Sequence, residues 1–260
     1  MGPPDGSGYH PILSLFQTIH MHDTVTLSPA IGNKSRVQFM GQSVPDRNTC
    51  TDLLSALSPY MTQFWSVTVQ KAIPSGAGLG GASSDAATLL GALLRHAALD
   101  LTDQQTTSIA ASVGCDVPFF LTGGPCVVSG YGEGVTPSTD PRSYYSIVLM
   151  VLPIQLSTPS VYAMADRMGV FDRLDQVDPL HPSTYGHNGL LQAARAVSPE
   201  FATLYDRLMV AFPDRVCMSG SGSTLFILTK SEDDESRVLQ QATSLLADDG
   251  ATVQSARPWP

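Results

Sequence analysis

Four glycines, at positions 76, 78, 80 and 81, stand within KAIPSGAGLGGASSDAATLL, which runs from Lys71 to Leu90. A backbone so bare packs no core, so the stretch must do something that side chains would obstruct. Its flanks narrow the choice. Before it, Trp65–Gln70 (WSVTVQ) alternates and is β-branched, which predicts a strand. After it, Ala86, Leu89, Leu90, Leu93 and Leu94 repeat at helical spacing, which predicts an amphipathic helix from Ser83. Ser83 or Ser84 is expected to cap that helix, with Asp85 in its first turn, where the dipole favours an acid. Strand, glycine loop and helix in that order aim free N–H groups and a positive helix end at one spot. A phosphate suits it.

Other readings of the loop fit less well. A merely flexible turn does not account for the capped helix that follows. Gly76, Gly78 and Gly81 meet the dinucleotide pattern G-x-G-x-x-G, but Pro74 interrupts the approach and a second helix, not a strand, follows the first. The spacing of Gly76 and Gly81 also resembles a P-loop, where Ala82 occupies the place of the required lysine. The loop reads as a phosphate cradle of backbone amides with no lysine of its own.

The formal charge of −9 over 260 residues argues against a nucleic-acid or anionic-membrane surface, while leaving room for a small anionic ligand. The four cysteines (50, 115, 126, 217) are scattered, which points to reduced thiols and no zinc site. His20 and His22 have no further ligands at metal-binding spacing, so no metal site is expected there. MGPPDGSGYH has neither the basic region nor the apolar run of a secretion signal, and no apolar stretch reaches membrane-spanning length. A cytoplasmic protein is expected, acting on a small molecule as a monomer or homodimer.

Thr102–Gln105 fits a capping box opening a second helix that Gly114 closes. Phe119–Leu121 and Cys126–Ser129, around Thr122-Gly-Gly-Pro125, are expected to form a hairpin or bent strand pair. Gly130–Ser143 (GYGEGVTPSTDPRS) is the boundary candidate, giving domains of residues 1–142 and 143–260. Beyond it are predicted a strand over Tyr144–Leu152, helices from Ser157-Thr158-Pro159 and Ser198-Pro199, and a strand–turn–strand around MSGSGST (218–224). A helix to Ala247 and a last strand near Ala251–Ser255 complete an α+β sandwich.

Taken alone, several residues have ordinary explanations. Asp116 before Pro118 shapes a turn, Tyr9 and Tyr162 are half-buried aromatics, and Lys71 is a solvated strand-end charge. Thr158 caps a helix, and Gly220 and Gly222 make a hairpin turn. Pro74-Ser-Gly-Ala-Gly-Leu-Gly-Gly-Ala-Ser-Ser84, however, resembles the ATP-phosphate loop of the GHMP kinase superfamily (galactokinase, homoserine kinase, mevalonate kinase and relatives). Gly8-Tyr-His10, Leu15-Phe-Gln17, Gly114-Cys-Asp-Val-Pro-Phe-Phe120, Ser157-Thr-Pro-Ser-Val-Tyr162 and Met218-Ser-Gly-Ser-Gly-Ser-Thr224 follow in that superfamily's order. Among its branches they are most similar to the one acting on 4-diphosphocytidyl-2-C-methyl-D-erythritol.

The resemblance implies a two-domain α+β fold with the active site in the cleft between domains, using ATP and Mg2+. It implies Asp116 as the base facing the acceptor hydroxyl. ATP would meet Asn48, Lys71, Pro74, Gly76, Gly78, Leu79, Gly80, Gly81, Ser83 and Ser84, with Ser84 near the phosphates and their magnesium. Tyr9 and Tyr162 would sandwich the substrate's cytosine, His10 would hydrogen-bond its edge, and Thr158 and Gly220 would complete that pocket.

The family also carries a first strand with Pro-Ala-Lys-x-Asn, whose lysine pairs with the catalytic aspartate. Here MGPPDGSG precedes Tyr9, the lysines are Lys34, Lys71 and Lys230, and Asn188-Gly-Leu190 lacks an acid at its middle. The chain as given is therefore expected to turn over at background level. Three functions stay open: this kinase, a nucleotide-binding protein without turnover, or another small-molecule GHMP kinase.

Overall fold

A computed structural model describes residues 1–6, 8–97, 99–138, 146–181 and 186–259. In chain order its strands are β1 (Ile12–Gln17), β2 (Thr24–Pro29), β3 (Arg36–Met40), β4 (Trp65–Gln70), β5 (Pro125–Gly130), β6 (Gly134–Pro137), β7 (Ser146–Val151), β8 (Cys217–Met218), β9 (Leu225–Thr229) and β10 (Thr252–Ala256). Its α-helices are α1 (Thr49–Leu57), α2 (Gly81–His96), α3 (Asp103–Val113), α4 (Val117–Thr122), α5 (Thr158–Met168), α6 (Leu191–Val197), α7 (Pro199–Ala211) and α8 (Glu232–Leu245).

Alternation along WSVTVQ turns Trp65, Val67 and Val69 of β4 inward and its polar residues outward. β4 lies between β2, antiparallel to it, and β3, parallel to it. The inward side chains meet Leu53, Leu54 and Leu57 of α1 and Leu89, Leu90 and Leu93 of α2 in one core cluster. That packing fixes the end of β4 opposite the start of α2, so the glycine loop has two rigid posts. A second small sheet, ordered β1-β5-β6, carries Cys126 and Val128 against Phe119 of α4.

The C-terminal half has a four-stranded sheet ordered β10-β7-β9-β8. β7 (SIVLMV) is buried at every residue because it runs in the middle of that sheet, beneath helices. Val148, Met150, Leu225 and Ile227 join residues of α5, α6, α7 and α8 in the larger core. Two residues near the start of the chain pack here too: Gly2 lies against Leu174, and His10 pairs with Asp166 of α5.

Three local expectations change. Phe119–Leu121 is helical, within α4, because Pro118 sits in a first turn where its missing N–H is not needed. Helix α2 starts at Gly81 behind Gly80, a left-handed residue, so neither Ser83 nor Ser84 is its cap. Within the boundary candidate Gly130–Ser143, Gly134–Pro137 forms β6 and pairs with β5; residues 139–145 lie outside the described residues. The capping box at Thr102 and the helix starts at Ser157 and Ser198 are as the sequence predicts. His20 packs edge-on against Trp259, with ring centroids 4.2 Å apart. No helix among the described residues is long and apolar enough to cross a membrane.

Candidate active site

The loop between β4 and α2 owes its shape to left-handed glycines: φ is 71° at Gly76, 73° at Gly78 and 67° at Gly80. A Cβ on Gly78 would lie 2.6 Å from the carbonyl oxygens of both Ser219 and Gly222, and one on Gly80 would lie 2.7 Å from the Phe120 ring. Pro74, Leu79 and Gly81 are half-buried in the same stretch. The amides from Gly76 to Ser83 find no acceptor among the described residues, whereas the Ser84 amide closes on Gly80 O at 2.9 Å. A run of free donors at the mouth of a 16-residue helix fits a polyphosphate. The Ser84 hydroxyl donates to Gly81 O at 2.9 Å, keeping its oxygen's lone pairs for another partner.

The C-terminal half closes over this loop. Ser219 Oγ donates to Gly78 O at 2.8 Å, and the Thr224 amide donates to Ala77 O at 3.1 Å. Gly220 follows at φ 56°, its Cβ direction 3.5 Å from Gly78 O. Asn188 Nδ2 donates to Met218 O (2.9 Å) and Gly220 O (2.8 Å), so an amide side chain anchors this second loop. Thr158 Oγ1 lies 2.8 Å from Ser221 Oγ, bringing the start of α5 to the same place.

Asp116 occupies the turn between α3 and α4, with its backbone at the N-terminus of α4. A Cβ on neighbouring Gly114 would lie 3.7 Å from Ser83 Oγ, which puts this turn against the first turn of α2. Burial pushes the Asp116 carboxyl above the ordinary carboxylate range. No cation among the described residues lies within ion-pair distance of it. Burial, with the Asp116 charge as a smaller contributor, likewise raises the Tyr162 phenol, so the two groups share one environment.

The His10 ring lies 5.1 Å from that of Tyr162 and 5.8 Å from that of Phe171. Its Nδ1 faces Gly2 O at 3.0 Å and its Nε2 faces Asp166 Oδ1 at 3.2 Å, so the ring works as a fixed wall beside Tyr162. Tyr9 is 63% exposed and meets Tyr131 edge-on at 6.0 Å. The structure thus joins His10 to Tyr162 and gives Tyr9 a different aromatic neighbour. Tyr131 escaped the sequence reading, as nothing in GYGEG separates it from a linker.

Two other expected ATP residues turn out to be engaged in structure. Asn48 caps α1: its Oδ1 accepts from the Thr51 amide at 3.1 Å and its Nδ2 donates to Pro45 O and Asp46 O. Lys71 is no solvated strand-end charge; it is 8% exposed, between Asp23 and Asp85.

The family description "GHMP kinases N terminal domain" matches residues 48–124, and "GHMP kinases C terminal" matches residues 178–248. A glycine-rich loop and its helix in the first and a core sandwich in the second are thus the two halves of one class, the GHMP kinases. A 4-diphosphocytidyl-2-C-methyl-D-erythritol kinase from Nocardioides sp. is 32% identical over 95% of this chain and 88% of its own length. One of that name from Nitratidesulfovibrio vulgaris is also 32% identical, over 90% and 87%. The crystal structure of a 4-(cytidine 5'-diphospho)-2C-methyl-D-erythritol kinase superposes with a TM-score of 0.74 at 26% identity, covering 98% of this chain and 94% of that one. The chain belongs to the 4-diphosphocytidyl-2-C-methyl-D-erythritol kinase family. A homoserine kinase from Cytophaga hutchinsonii, 17% identical with a TM-score of 0.65 over 93% of this chain and 87% of its own, shares the fold.

Proposed function

We propose that this chain transfers the γ-phosphoryl group of ATP to the 2-hydroxyl of 4-diphosphocytidyl-2-C-methyl-D-erythritol, in the cytoplasm, as a step of isoprenoid precursor synthesis. One observation carries the reading: a run of free amides at the mouth of α2 lies against the Asp116 turn, and Asp116 shares its surroundings with Tyr162. The amides of Gly76–Ser83 hold the phosphates. The substrate hydroxyl attacks the γ-phosphorus, the bond to ADP breaks, and Asp116 takes the hydroxyl proton. A carboxyl whose pKa burial has raised is a better acceptor for that proton than a fully solvated one. Mg2+, when bound, would offset phosphate charge, and the hydroxyls of Ser83 and Ser84 are the residues to hold it. In this reading residues 1–142 carry ATP, and residues 143–260, with His10, carry the cytidine end.

ADP release measured with and without the diphosphocytidyl substrate, with 31P NMR of the product, tests this. A catalytically competent chain should give substrate-dependent release and a new phosphomonoester signal, with the rate of the chain as given held down by the lack of a cation beside Asp116 among the described residues. A second reading, nucleotide binding without turnover, draws on the Asp116 carboxylate, which has no cation partner among the described residues, and ATP binding without ADP release in that assay would select it.

The cytidine assignment has its own test. Tyr162→Ala should weaken binding of the diphosphocytidyl substrate by about 1–3 kcal/mol, the range for base–aromatic stacking, and leave ATP affinity in place. Calorimetry with each ligand separates these, and equal losses for both would make Tyr162 a packing residue.

A further inference from the structure

We infer that Asp23, Lys71 and Asp85 form a buried clamp that fixes the phosphate loop at both ends and are positioning residues for ATP. The inference rests on the ATP reading above. Lys71 directly follows β4, where the loop begins, and Asp85 sits in α2, where it ends. Lys71 Nζ is 2.5 Å from Asp23 Oδ2 and 2.8 Å from Asp85 Oδ2, with all three side chains at most 4% exposed. Asp23 Oδ1 accepts the amides of Ala72 (2.5 Å) and Ile73 (2.8 Å), the first residues of the loop. One carboxylate therefore holds the loop's entry, and through one ammonium it reaches the helix. Gln42 adds a neighbouring tie, taking the Ser75 amide at 2.9 Å and donating to Ile73 O at 3.1 Å.

The energetics argue that this cluster does more than fill space. Three charges out of water carry a large desolvation penalty, and apolar residues of similar volume often serve stability equally well. Burial disfavours the Lys71 ammonium, yet its hydrogen bonds to Asp23 and Asp85 outweigh that and raise its pKa. Burial pushes Asp85 up to about 6 against the pull of Lys71, and its Oδ1 has no hydrogen-bond partner among the described residues. What the cluster supplies is direction. Free amides bind a polyphosphate only if they converge, and displacing the frame by an ångström is enough to lose that convergence.

A lysine that touched ATP and one that clamps the loop give opposite results when its partners are removed. Asp23→Ala releases Lys71 and drops two loop amides; the clamp predicts ATP binding weaker by about tenfold or more, the size of one charge-assisted hydrogen bond. The diphosphocytidyl substrate should bind as before, and Asp23→Asn, which keeps an acceptor for the two amides, should recover part of the loss. Unchanged or tighter ATP binding in folded Asp23→Ala overturns the clamp and makes Lys71 a direct ligand. Should Asp23→Ala not fold, the double variant Lys71→Met/Asp85→Asn replaces the ion pair by neutral groups of similar size. Its first turn of α2, read at the Ser84 amide, should exchange hydrogen faster than in the parent protein without nucleotide. Unchanged exchange there also overturns the clamp. Failure of the parent chain to bind ATP sinks the proposed function instead, and the exchange measurement still decides the clamp.

Discussion

In a catalytically competent form of the chain, Asp116→Asn is expected to lower turnover by about 10²–10⁴-fold, the share general-base catalysis typically supplies, while ATP and the diphosphocytidyl substrate bind with parental affinity. The amide keeps the shape of the carboxyl and cannot take the hydroxyl proton. The same variant should melt above the parent at neutral pH. Burial raises the Asp116 pKa above its ordinary 3.8, so the folded protein holds that proton more tightly than the unfolded chain does. Ionising the group therefore destabilises the fold, fully so above the raised pKa and not at all below 3.8, where both states are protonated. Asparagine removes that cost, so its stabilising effect should be present at pH 7 and fade on acidification toward 3.8. Melting curves at several pH values, set beside ADP release and calorimetry, check both halves. Retained turnover would strip Asp116 of its role, and a pH-independent gain in stability would strip burial of its part.

Gly78→Val should abolish measurable ATP binding. The new Cβ points at two carbonyl oxygens 2.6 Å away, and both belong to backbone, which cannot swing aside as a side chain would. The residue also sits at φ 73°, where a β-branched side chain is strained by itself. Neighbouring glycines provide the scale. Gly76 has nothing within 4 Å of its Cβ direction, so Gly76→Ala faces only left-handed strain of about 1–2 kcal/mol. Gly80→Val meets the Phe120 ring, a side chain that can rotate, and should lose ATP binding while still unfolding cooperatively. Calorimetry with ATP and thermal melts of the three variants test the ranking. Parental affinity in folded Gly78→Val would take the loop out of the nucleotide site.

What the sequence made legible was local, and what it hid was distant. The capping box at Thr102 and the Ser198 hydroxyl lie within one turn of the amides they serve, and Ser157 directly precedes the helix it opens, so periodicity and residue type suffice. The glycine loop was readable for the same reason, since its strand and helix adjoin it. Phe119–Leu121 misled because a short apolar run has no period, and Pro118, a helix-start residue, was read as a turn. Lys71 misled differently. Its two partners lie 48 residues before and 14 after it, and no composition or spacing marks Asp23, beside a histidine pair, as the one that turns inward. The same distance hid Ser219, Thr224 and Asn188, whose hydrogen bonds matter only once the second loop lies on the first.

The contact between those two loops also dictates how the molecule can move. The Ser219 hydroxyl holds Gly78 O, the Thr224 amide holds Ala77 O, and the Gly78 backbone lies directly against the carbonyls of Ser219 and Gly222, so sliding one half past the other along this line would break both hydrogen bonds. Opening that admits a small-molecule substrate and releases its product is expected to turn about this line as a fulcrum. Displacement then grows with distance from it and is least at the glycine loop. Chemistry at the still point and exchange at the moving rim allow a kinase to open for traffic without disturbing the geometry of the step it performs.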